Sequence, residues 1–146
     1  MVALSDINAE IERAAPGGDR RAAAAALLKA GEDILSLWID LQGEAPTPDL
    51  KEGFRLLALH RQGAVADPSF NACRETCREL VYHYNIAVGD YETHDPEQAL
   101  RKMRYVARHL FLFISGKMQE SKLGEFCCSS RGVRSETVAA ESLERS

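Results

Sequence analysis

The sequence of 146 residues is short of the features that usually announce an activity. Its longest strongly apolar run, Leu110 to Ile114, is far below the roughly 18 residues a membrane span needs, so no membrane role is expected. It has only 5 prolines, 10 glycines and one tryptophan against a 45% hydrophobic fraction, which excludes wholesale disorder. It has no run of alternating β-branched residues, so strands are not expected. No HExxH, Glu-x-x-His, glycine-rich phosphate loop or nucleophile elbow is present, and no cofactor or metal is expected. The start, MVALSDINAEIER, has neither a basic flank nor an apolar core. It does not read as a secretory leader, and a cytoplasmic location is expected. A net charge of −4 argues against a general nucleic-acid binder.

Helix punctuation is plentiful. Thr47-Pro48, Asp67-Pro68 and Asp95-Pro96 each place a capping oxygen before a proline, which suits the first helical position because it lacks an amide that would be unpaired there. Asp19 is a fourth start and Ser5 a weaker one. Gly43, Gly63, Gly89 and Gly124 read as stops. These signals predict a short helix near 5–15 and longer ones near 19–42, 48–62, 68–88 and 96–123. Short connections make this an all-α, antiparallel four-helix bundle with a short extra N-terminal helix over 1–124. A polar, mobile tail is expected over 125–146, with a turn or two of helix at 136–143.

Helical spacing sorts the side chains. Phe70, Cys73, Cys77, Leu80 and Tyr84 share one face of the 68–88 helix, so Cys73 and Cys77 are expected as buried apolar thiols. Trp38 is expected as a core anchor of the 19–42 helix. The last helix differs from the rest. Leu100, Met103, Ala107, Leu110, Phe111, Ile114 and Met118 make a core face. Tyr105, Val106, His109, Leu112, Phe113 and Gly116 make a second apolar face nearly opposite. Such a helix is expected to be covered on both sides, by the N-terminal helix, by the tail or by another chain.

Charge is uneven along the chain. Residues 1–98 carry 9 Lys and Arg against 17 Asp and Glu, while residues 99–123 carry 6 against 1. Arg101, Arg104 and Arg108 line one ridge. They are expected either to pair with acids of the three preceding helices or to meet an acidic partner or a phosphate.

The remaining candidates are histidines and thiols. Leu59-His60-Arg61-Gln62-Gly63-Ala64 resembles the phosphorylated segment of the histidine phosphotransfer domains, which are also four-helix bundles. There the histidine sits mid-helix ahead of a lysine-glycine pair. Here the glycine comes one position early, no lysine is present and the helix is read as ending at His60, so the function is not carried over. Cys127 and Cys128 lie in the tail, where exposed thiols can bridge chains or bind metal.

The function this predicts is a non-enzymatic interaction or regulatory module. It is expected to be a homodimer, or to bind a protein partner, through Tyr105, His109, Leu112, Phe113 and Gly116. The alternative is a small-molecule or metal-binding bundle, possibly an enzyme. Its site would be His83, Tyr84 and His109, with Cys73 and Cys77 as further ligands.

Overall fold

A computed structural model describes residues 3–14, 18–89 and 93–121. The tail at 125–146, with Cys127, Cys128 and the expected helical turns at 136–143, lies outside the described residues. The chain divides into two compact units, residues 1–115 and 116–146. The description below is of the first, and the described part of the second is the end of its last helix.

The fold is all-α. Five α-helices follow one another among the described residues: α1 (Leu4–Arg13), α2 (Arg20–Leu41), α3 (Arg55–Ala66), α4 (Arg74–Val88) and α5 (Pro96–Ser121). A 3-10 helix, Pro68–Cys73, leads into α4. There is no strand among the described residues, and no helix there is long and apolar enough to cross a membrane. Three caps form as the sequence predicts. Asp19 accepts from the amides of Arg21 and Ala22, Asp67 from Ser69, and Asp95 from Glu97 and Gln98. Gly43 follows the end of α2 with φ +88°, a backbone that glycine adopts freely.

α2 is the centre of the first unit. It packs against α1, α3 and α4. At Gly31, an added Cβ would lie 2.9 Å from Leu80 of α4, 3.2 Å from Leu56 of α3 and 3.6 Å from Leu110 of α5. Ile34, Leu35, Leu37, Trp38 and Ile39 are all buried, so the C-terminal half of α2 is enclosed nearly all round. Within the single chain, α2 is therefore a helix covered on both sides. Fully burying each such side chain is worth roughly 1.5–3 kcal/mol. Arg20 fixes the start of α2. Its Nε donates to the carbonyl of Ala87 at 2.7 Å, which places it at the end of α4. With Gly31 against Leu80, α2 and α4 run in opposite directions.

α3 departs from the sequence reading at both ends. It begins at Arg55, not Pro48, because residues 51–54 form a tight turn. Lys51 and Phe54 exchange backbone hydrogen bonds of 3.0 Å in each direction, and φ is +55° at Glu52 and +86° at Gly53. Two successive left-handed residues break any right-handed helix. Thr47 instead closes a local turn, its Oγ1 accepting from the amide of Asp49 at 3.1 Å. The preceding strap lies on α3. Gln62 accepts from the Thr47 amide at 2.8 Å and donates to the Ala45 carbonyl at 2.9 Å, while Arg55 donates to the Thr47 carbonyl at 2.9 Å. At the other end, α3 passes through Gly63 and stops at Ala66. Gly63 is not a stop but a close approach: an added Cβ would lie 2.5 Å from the ring of Phe70.

Candidate functional site

On α5, the helical repeat sets Tyr105, His109 and Leu112 within about 60° of one another. Tyr105 is 79% exposed and Leu112 59%, and His109 is exposed as well. Phe113 is half-buried at the flank of this face. Gly116 belongs to the second unit and has open space around it.

Beside that face, Arg101, Arg104, Tyr105 and Arg108 line a hollow of about 330 Å³. Two of the three arginines are already engaged. Glu12 takes Arg104 at 2.9 Å and Arg108 at 2.7 Å. Arg104 also donates to the carbonyls of Ile11 and Glu12, at 3.3 Å each. The acid that meets the ridge thus comes from α1, not from the three middle helices that sequence reasoning favoured. Arg101 is exposed and has no ion pair among the described residues.

His83 and Tyr84 look to different neighbours. Tyr82 meets His83 edge-on at 5.2 Å. Burial pushes the His83 imidazole below its ordinary range, and the positive charge of Lys102 on α5 pushes it further. Tyr84 packs edge-on against Phe54 at 5.9 Å, ahead of α3. The thiols are joined to a histidine that the sequence set elsewhere. His60 is buried in the middle of α3, at 7% exposure, rather than at a helix end. Its Nε2 donates to the Phe70 carbonyl at 2.8 Å, and the Cys73 thiol donates to the same oxygen at 3.1 Å. The Phe70 ring lies between Trp38, at 5.5 Å, and the His60 imidazole, at 6.1 Å. A column of three stacked rings results.

Electrostatics within this cluster follow from the hydrogen bonds. The Cys77 thiol holds Cys73 well below the ordinary thiol range, against burial and with help from His60. The Cys73 sulfur and burial together hold Cys77 well above it. For His60, burial is the largest influence and acts downward, but the bonds to Cys73 and Phe70 outweigh it and raise the imidazole. A side chain this enclosed is poorly placed to accept a phosphoryl group. Among the described residues, no group of three His, Cys, Asp or Glu could hold a metal ion.

Sequence reasoning missed one further feature. Lys51, Arg61, Arg74 and Arg78 converge on a cleft of about 320 Å³, with His60, Asn71, Leu57, Ala64 and Val65 in its walls. These four cations come from the 51–54 turn, α3 and α4, so no single helical ridge shows them. Arg78 is held by Glu52 through two bonds, 3.2 and 2.9 Å, and Lys51 lies 3.5 Å from the same carboxylate. Arg61 and Arg74 are exposed and have no carboxylate partner among the described residues.

Compared with known protein families, curated proteins and solved structures, the chain matches none.

Proposed function

We propose that the protein is a non-enzymatic helical interaction module that pairs with a second copy of itself through the outer face of α5. The observation that carries this reading is the exposure of Tyr105 and Leu112, two turns apart on one line of α5, with His109 between them. A tyrosine, a leucine and flanking arginines are the composition expected at the centre and rim of a protein interface. A self-complementary face suits the two-fold pairing commonest among oligomers. In this reading α2 to α5 form a four-helix bundle with α1 laid alongside α2. The same reading places the protein in the cytoplasm, where the unbridged thiols of Cys73 and Cys77 are at home.

Light scattering on a sizing column tests it. The wild type is expected at about twice 16.1 kDa, and Leu112→Glu and Phe113→Glu at the mass of one chain. Leu112 is exposed, so its replacement leaves the fold intact. A wild type that elutes as a single chain, or a Leu112→Glu variant that stays paired, overturns the proposal.

A further inference from the structure

The 320 Å³ cleft between α3 and α4 brings four cations together, Lys51, Arg61, Arg74 and Arg78. We infer that it is a binding site for a small phosphate-bearing molecule, held by the guanidinium groups of Arg61 and Arg74. Three observations lead there. Arg61 and Arg74 face one cavity from two helices without an acid to neutralise either among the described residues. Arg78 has its charge taken up by Glu52, and Lys51 approaches the same carboxylate. Those two therefore form a fixed wall rather than the primary contact. Asn71 adds an exposed side-chain amide donor at the rim, and Leu57, Ala64 and Val65 offer an apolar surface to the organic part of the ligand.

Guanidinium forks match the oxygens of a phosphate two at a time, and the charge-assisted bonds are the strong ones. A volume of about 320 Å³ suits one compact anion. A long polyanion such as nucleic acid would have to pass over the surrounding surface, where residues 1–98 carry a net charge of −8. The arginine ridge of α5 is a weaker candidate for the same ligand, because Glu12 already occupies two of its three guanidinium groups.

Titration calorimetry with inorganic pyrophosphate at low ionic strength, backed by thermal shift in the same buffer, tests the site. One equivalent is expected to bind, with affinity falling as sodium chloride is added. Arg61→Gln and Arg74→Gln are each expected to weaken binding about tenfold or more. Both side chains are exposed, so circular dichroism is expected to be unchanged. Arg101→Gln is expected to bind as the wild type does. No binding by the wild type in either assay overturns the inference, as does equal binding by both cleft variants. A loss confined to Arg101→Gln moves the anion to α5 and also overturns it. A hexaglutamate peptide that binds the cleft more tightly than pyrophosphate would show an acidic polypeptide as its ligand instead, and would overturn the assignment to phosphate.

Discussion

The imidazole of His60 and the thiol of Cys73 share one acceptor, the carbonyl oxygen of Phe70, at 2.8 and 3.1 Å. The bonds tie the middle of α3 to the 3-10 helix that precedes α4. His60→Ala removes the stronger donor and one end of the ring column. Unfolding in urea is expected to show a loss of about 1–3 kcal/mol, the cost of a broken buried hydrogen bond. An unchanged midpoint would mean that the bond contributes nothing.

The ring of Phe70 also decides what Gly63 can become. A Cβ there would sit 2.5 Å from the ring atoms Cδ2 and Cε2, and the ring is held between Trp38 and His60. Gly63→Ala is expected to destabilise by about 1–3 kcal/mol, although alanine is the better helix former. Gly116→Ala meets nothing within 4 Å and is expected to stabilise by up to about 1 kcal/mol. Thermal melts of the two variants should move in opposite directions.

Glu52 gives the fold a defined response to acid. The hydrogen bonds and charge of Arg78 lower its carboxyl from 4.5 to about 2. A lowered acid contributes stability above its unfolded value, and that contribution is lost as pH falls toward the folded value. The difference in melting temperature between wild type and Glu52→Gln is therefore expected to be constant above about pH 4.5 and to close on the way to pH 2. Added salt should shrink it at every pH, because the pair is exposed. A difference that grows on acidification would contradict the pairing.

The two buried thiols are expected to titrate apart. The Cys77 thiol is the main group holding Cys73 down, so Cys77→Ala should move the Cys73 titration upward toward 9.0. Thiolate absorbance against pH, in a Cys127→Ser, Cys128→Ser background, reads the shift directly. A titration that stays put would assign the lowering to His60 instead.

How much of this was legible in the sequence depends on range. Asp19, Asp67 and Asp95 cap helices as read, since a cap involves only the next three residues. Trp38, Cys73 and Cys77 are buried as their helical spacing predicts. Thr47-Pro48 carries the same local signal but starts no helix, because Glu52 and Gly53 turn left-handed four residues on. Gly63 carries a stop signal yet is kept small by a ring from another element. The exposed line on α5 was visible as an apolar stripe, but its arginine neighbours met Glu12, 92 positions earlier than Arg104. The cleft was the least visible feature. Its four cations spread over residues 51 to 78 and meet only through the packing of α3 on α4.

The strap ahead of α3 has a dynamic consequence. Both backbone groups of Thr47 are satisfied by side chains of α3, the amide by Gln62 and the carbonyl by Arg55. An amide outside regular structure would ordinarily exchange with solvent deuterium early. That of Thr47 should instead persist as long as the helix beneath it stays folded, and should exchange quickly once Gln62 is replaced by alanine. The strap would then open and close as part of α3 rather than as a free loop.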